Sequence, residues 1–188
     1  MSIGKIDVLI FVSRRCIIRL TQRVSKGLVN MYLPFVIIAA AVFMADQACK
    51  QLVDKHIPLG QSSDIVPGKL AITHLRNAGA AYGLFSNNRR ALLFFTAIST
   101  LSIVQTFFDL SQHFKNHKAA WTLFAINVGG AASNIYDRLS KKFVTDYIHV
   151  CPQKRTPVFN IADICILVGI VGLLILYLKR FILIKNNS

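Results

Sequence analysis

IADICILVGIVGLLILYL, residues 161–178, is the stretch on which the fold turns. It opens with one aspartate, Asp163, and then runs from 164 to 178 without a charge. As an α-helix it would rise about 27 Å, close to the thickness of a bilayer's hydrocarbon core. Working outward, three more runs of the same kind precede it, at 31–49, 91–108 and 119–135. Each is near the roughly 17–25 residues that a spanning helix needs. Soluble core helices seldom come as four such runs in one chain of 188 residues. The expected architecture is an all-α membrane protein of four transmembrane helices.

Composition agrees. Hydrophobic residues make up 54% of the chain and charged ones 16%, where a soluble domain carries about 25% charged. The net charge of +14 invites a nucleic-acid reading. The basic residues, however, form no stripe interleaved with stacking aromatics. They sit at the ends of the apolar runs instead, as in Arg89-Arg90 and Lys179-Arg180, where they can meet anionic lipid headgroups. All eight acidic residues are aspartates, so zinc-peptidase chemistry of the HExxH kind, which needs a glutamate base, is excluded. Cys16, Cys49, Cys151 and Cys165 show neither CxxC spacing nor a disulfide framework, and Cys49 and Cys165 read as small buried residues. His113 and His117 lie four apart but have no third ligand nearby, and no metal or other cofactor is expected.

Residues 1–30 form a basic extension carrying Lys5, Arg14, Arg15, Arg19, Arg23 and Lys26. Its apolar patch at 6–12 is too short to span, and no Ala-x-Ala site marks it as a removable leader. It reads either as an amphipathic helix on the membrane surface or as the product of a start placed too early, before Met31. Residues 31–180 make the four-span domain, and 181–188 a basic tail. The first long loop, from about 56 to 90, holds short β-prone pieces (DIVPGKLAITHLRN) and glycines that suggest a small sheet. The polar stretch DLSQHFKNHK, 109–118, reads as the turn between spans two and three.

Four spans put both termini on one side. Lysine and arginine divide evenly, 11 on the side of the termini and 11 in the long loops, so a simple count sets no orientation. The weight given to the first segment and to short loops places the termini and the turn around Asn116 in the cytoplasm, with the β-rich loop region and the positions Ser63 and Lys154 outside it.

Ionisable groups in or beside a span are costly and mark function by default. With the termini together, Asp46, Asn134, Asp137, Arg138, Asp146, Asn160 and Asp163 all gather at one membrane face, along with the loop segment 74–83. Singly, each has a structural reading: Asn160 as the N-cap of the fourth helix, Asp163 in its first turn, Asp137 paired with Arg138 or Arg76. As a group they suggest water activated by a carboxylate pair, one member taking a proton and the other donating one. No GxSxG element offers a serine nucleophile.

Five elements then resemble those of the lipoprotein signal peptidases, also called signal peptidase II. They are DQACK (46–50), RNAGAAYG (76–83), GGAASNIYDR (129–138), VTDYI (144–148) and FNIADICI (159–166). They occur in the family's order and cover the chain from about 35 to 178. The resemblance implies a catalytic pair at Asp146 and Asp163. It implies substrate-binding or site-supporting roles for Asp46, Lys50, Asn77, Gly79, Asn134, Asp137, Arg138, Asn160 and Ala162. It further implies hydrolysis of the peptide bond before the lipid-modified cysteine of a bacterial prolipoprotein. The enzyme would be a monomer in the cytoplasmic membrane, with membrane lipids around it and no nucleic-acid partner. Two departures stand out. Ser133 occupies a usual glycine position, and Thr145 and Tyr147 replace the usual valine and phenylalanine beside Asp146.

Two rivals come from other classes. A small transporter or channel subunit would use buried aspartates for ions or protons, but its polar groups should lie near mid-membrane and repeat between two halves. An inactive scaffold of the same fold would be expected to have lost one of the aspartates, and both are present.

Overall fold

The computed structural model describes residues 3–79, 89–114, 117–152 and 156–186. Its elements run α1 (Ile3–His56), β1 (Ser62–Val66), β2 (Leu70–Asn77), α2 (Arg89–His113), α3 (Lys118–Ser140), β3 (Val144–Val150), β4 (Val158–Phe159) and α4 (Ile161–Asn186). Two compact units, Met1–Ile37 and Ile38–Ser188, divide α1, and every described residue of the expected site belongs to the second. Residues 80–83 of the RNAGAAYG element lie outside the described residues, as do Asn116 and Lys154.

Two helical stretches among the described residues are long and apolar enough to cross a membrane. Val29–His56 has a mean hydropathy of 1.8 and Ile161–Leu183 one of 2.7. On α4 the bulky residues Leu167, Leu174, Phe181 and Leu183 are all more than half exposed, whereas Ala162, Gly169 and Leu173 are buried. An apolar exterior of this extent suits lipid rather than water. Inside, small residues bring backbones together, as membrane helices require in place of a hydrophobic driving force. A Cβ on Gly129 would stand 2.4 Å from the Ala39 carbonyl oxygen of α1, and one on Gly130 would stand 2.5 Å from the Ala162 carbonyl oxygen of α4.

The sheet expected in the first long loop forms, and it is larger than that loop alone. β1 and β2 pair antiparallel, β3 from the later loop joins β2, and β4 closes the order β1-β2-β3-β4. The β1–β2 turn follows from its residues. Pro67 presets the second position, Gly68 takes φ +68° in the third, and the Lys69 N–H bonds the Val66 carbonyl at 2.9 Å. In β2, Ile72 faces Ile148 while Leu75 faces Asp146, so the strand carries one extra residue. That bulge buries Thr73 and His74 in succession, which breaks the in–out alternation.

Several local expectations change. The polar stretch 109–118 is only partly a turn, because α2 continues to His113 with Leu110 fully buried and Ser111 Oγ bonded back to the Phe108 carbonyl. His117 caps α3, its Nδ1 accepting the Ala120 N–H at 3.3 Å. Helix α4 runs on through the basic tail to Asn186. Cys49 and Cys165 are half-buried rather than enclosed.

Candidate active site

A helix start leaves its first four N–H groups without intrahelical partners. At the start of α4 all four are satisfied by side chains, three by residues of the expected site and one by Tyr147. Asn160 and Asp163 form a capping box: Asn160 Oδ1 accepts the Asp163 N–H at 2.8 Å, and Asp163 Oδ2 accepts the Asn160 N–H at 3.2 Å. The Ala162 N–H goes to Asp46 Oδ1 at 3.2 Å. The Ile161 N–H goes to the Tyr147 hydroxyl, also at 3.2 Å. The helix that carries Asp163 is thereby fastened to α1 and β3 at its first turn.

Behind this turn lies a buried ionic knot. Lys50 Nζ has three hydrogens to give, and it meets Asp46 Oδ2 at 2.7 Å, Asn134 Oδ1 at 2.8 Å and Asp137 Oδ2 at 2.9 Å. Lys50, Asp46 and Asp137 are fully buried. A lysine withdrawn from water survives only where its charge is matched and its donors are used. Gln47 completes the enclosure, its Nε2 donating to Ser133 Oγ at 2.9 Å and to Asp137 Oδ1 at 3.2 Å. Ser133 Oγ in turn donates to Asp46 Oδ2 at 2.6 Å. The polar hydroxyl at the usual glycine position is thus enclosed in hydrogen bonds.

Two amides carry the knot forward to the aspartates. Asn134 accepts a hydrogen bond from Lys50 on Oδ1 and donates through Nδ2 to Asp163 Oδ1, each at 2.8 Å. Asn160 donates through Nδ2 to Asp146 Oδ1 at 2.8 Å and to Asn134 Oδ1 at 3.2 Å. On the far side, Asn77 at the end of β2 donates to Asp146 Oδ2 at 3.0 Å, while its own Oδ1 accepts the Gly79 N–H at 2.9 Å. Arg138 reaches from α3 toward the carbonyls of Asn134 and Gly79. The sheet, the third helix and the fourth therefore converge on two carboxylates joined through Asn160, whose side chain donates to Asp146 and whose backbone N–H donates to Asp163.

Asp146 is 2% exposed. Burial, reinforced by the nearby negative charge of Asp163, pushes its carboxyl up to about 7. Hydrogen bonds from Asn77 and Asn160 and the charge of Lys50 pull the other way without cancelling the effect. Near neutrality this pair can hold one proton and one negative charge, the state from which one carboxyl activates water while the other polarises a carbonyl.

Asp46, Lys50, Asn77, Gly79, Asn134, Asp137, Arg138, Asn160, Ala162, Asp146 and Asp163 thus lie in one connected network, Gly79 and Ala162 through their backbones. Asp137 pairs with Lys50 and, at 3.5 Å, with Lys141, not with either arginine. Arg76 stacks its guanidinium 4.6 Å from the centre of the Phe143 ring. A second polar group supports the sheet from the end of α1. Asp54 holds His74 Nε2 at 3.1 Å, Thr145 Oγ1 at 3.1 Å and Lys141 Nζ at 3.2 Å. Asp54, His74, Gln47, Ser133 and Tyr147 were not legible as members of this network. Most of their partners lie across 86 or more positions of sequence, and the bulge that turns His74 inward has no local signature.

Residues 38–179 match the family model described as Signal peptidase (SPase) II. The lipoprotein signal peptidase of Bacillus velezensis is 34% identical over 142 residues, 75% of this chain and 91% of that protein. That of Symbiobacterium thermophilum is 33% identical over 144 residues, 76% and 92% of the two. A solved bacterial membrane enzyme superposes with a TM-score of 0.70 at 27% identity, covering 79% of this chain and 89% of its own. A second does so with a TM-score of 0.68 at 26% identity, covering 78% and 93%.

Proposed function

The chain belongs to the signal peptidase II family, and from that premise we propose that it is a membrane aspartic endopeptidase acting on diacylglyceryl-modified bacterial prolipoproteins. It removes the signal peptide by cutting the bond before the lipidated cysteine. Asp146, which holds its proton to about pH 7, donates it to the scissile carbonyl oxygen. Asp163, its oxygens oriented by Asn134 and by the Asn160 N–H, takes a proton from water as that water attacks the carbonyl carbon. Collapse of the tetrahedral intermediate breaks the C–N bond, and the leaving amine takes a proton from the pair. Asn134 and Asn160 hold the pair in place through the bonds described above, and Arg138 would meet the substrate backbone.

The observation that carries this reading is the double use of Asn160. One side chain donates to Asp146 and accepts the Asp163 N–H, both at 2.8 Å, which fixes two carboxyl-bearing elements against each other. We take all four helices as spans, α2 and α3 included, with the termini cytoplasmic and the sheet outside. The exposed apolar residues Leu101, Val104 and Phe108 on α2 support this. So does the gathering of the polar network at one end of α1, α3 and α4. The enzyme works as a monomer, with the substrate's lipid remaining in the bilayer.

The test is cleavage of a diacylglyceryl-modified prolipoprotein by the detergent-solubilised protein. Asp146→Asn and Asp163→Asn should each lower turnover by at least roughly 10²–10⁴-fold while substrate still binds. The double variant should be scarcely worse than either single one. Asp109→Asn is the control. A normal rate from Asp146→Asn would overturn the assignment of the pair.

A further inference from the structure

We propose that Tyr147 is a positioning residue for the aspartate pair, its hydroxyl locking the strand that carries Asp146 to the helix that carries Asp163. The inference rests on the roles proposed above for those two residues. Tyr147 is 4% exposed, and its hydroxyl does two things. It donates to Asp46 Oδ1 at 3.2 Å and accepts the Ile161 N–H at 3.2 Å. A phenol has one hydrogen to give and lone pairs to spare, so both bonds form at once. Burial raises the phenol well above its ordinary value, so it remains a donor across the working range of pH.

The geometry around the start of α4 gives this hydroxyl its consequence. Adjacent residues of a strand direct their side chains to opposite faces. Asp146 and Tyr147 nevertheless both reach the first turn of α4, one through the Asn160 side chain and the other through the Ile161 N–H. Strand β3 therefore straddles the helix start. The far anchor, Asp46, is itself fully engaged. Its Oδ1 accepts from Tyr147 and the Ala162 N–H, and its Oδ2 from Ser133 and Lys50. Two of these four donors are hydroxyls at positions where the resembling pattern has phenylalanine and glycine. In this chain, then, α1, α3, β3 and α4 are tied at a single carboxylate. Without the Tyr147 hydroxyl, the Ile161 N–H is orphaned and Asp46 loses one donor on the oxygen that also holds Ala162. The fault falls in the turn that sets Asp163 relative to Asp146.

Tyr147→Phe removes one oxygen and keeps the ring, so packing survives. In folded, detergent-solubilised enzyme, kcat on a diacylglyceryl-modified prolipoprotein should fall about 5–30-fold, the effect of one unmade buried hydrogen bond. KM should stay within about twofold, because no substrate contact is removed. Ser133→Ala, which loosens the same carboxylate from the α3 side, should lower kcat in the same direction with KM held. It decides the matter if Tyr147→Phe cannot be recovered folded. Thr73→Val, which deletes a hydroxyl elsewhere in the sheet, is the comparison and should leave both parameters unchanged. A wild-type kcat in Tyr147→Phe, a change confined to KM, or an equal loss in Thr73→Val overturns the positioning role. Asp146→Asn and Asp163→Asn run alongside separate this from the larger reading. If they are inactive, only the inference about Tyr147 is at stake; if they are active, the pair and Tyr147's role fall together.

Discussion

Replacing Lys50 with methionine removes the one cation at the centre of the buried knot while keeping most of the side chain's volume. The structure sets the size of the effect. Lys50 is fully buried and holds two fully buried carboxylates at 2.7 and 2.9 Å. Asp46 would retain only neutral donors, and Asp137 would keep Gln47 and a 3.5 Å approach from Lys141. Breaking a buried pair on one side costs about 3–5 kcal/mol, because an uncompensated charge is left out of water. Against a total stability of about 5–15 kcal/mol that is a large share. Thermal unfolding in detergent should shift down by roughly 6–20 °C for a chain of this size. Lys141, which reaches Asp54 and Asp137 from a partly exposed position, is the internal standard. Lys141→Met should cost no more than about 1 kcal/mol. The surviving enzyme should also change its pH response. The charge of Lys50 draws Asp146 down, so its loss lets Asp146 keep a proton to higher pH, and the alkaline limb of kcat should move up. A shift in midpoint no greater than that of Lys141→Met would refute the reasoning, as would an alkaline limb that moves down.

Three further outcomes are expected. Asp146 holds its proton to about pH 7, well above an unfolded aspartate, so the folded chain binds more protons than the unfolded one between about pH 4 and 7. Stability attributable to this group should therefore fall as pH rises through that window, and kcat measured across it should decline above about pH 7 as the pair loses its shared proton. Gly130→Val should abolish folding or cost at least about 1–3 kcal/mol in thermal unfolding, since even a Cβ there meets the Ala162 carbonyl oxygen at 2.5 Å. Deleting residues 2–30 should leave specific activity in detergent within a few-fold. The described members of the network begin at Asp46, and a loss as deep as that of Asp146→Asn would make the extension part of the site.

What the sequence made legible divides along the range of the interactions involved. The apolar runs, as helices, and the β-prone loop are written in neighbouring residues, and each appears close to where local chemistry puts it. Asp46 and Lys50 were likewise readable as partners, because four residues on a helix bring two side chains onto one face, and they meet at 2.7 Å. The capping pair Asn160 and Asp163 is local in the same way. What failed was partner choice over distance. Asp137 had an arginine next to it in sequence, yet its nearest cation comes from α1, because among the described lysines and arginines only Lys50 is fully buried with it. The extra residue in β2 changes which side chains point inward without changing the composition of the strand. The strand gained from the later loop was visible only as VTDYI, a motif, not as a member of the sheet.

The hydroxyls of Ser133 and Tyr147 make the physical reason plainest. Read as departures from a family pattern, they bear on local packing and on nothing chemical. In three dimensions each supplies a donor to the same carboxylate, on opposite oxygens. A buried aspartate at the crossing of four elements has four acceptor directions to fill, and each one filled removes a way for those elements to move against each other. The strand that carries Asp146 and the helix that carries Asp163 are both bonded to that carboxylate, through Tyr147 and through the Ala162 N–H. It follows that substitutions at the pair should report on chemistry, and substitutions around Asp46 on geometry.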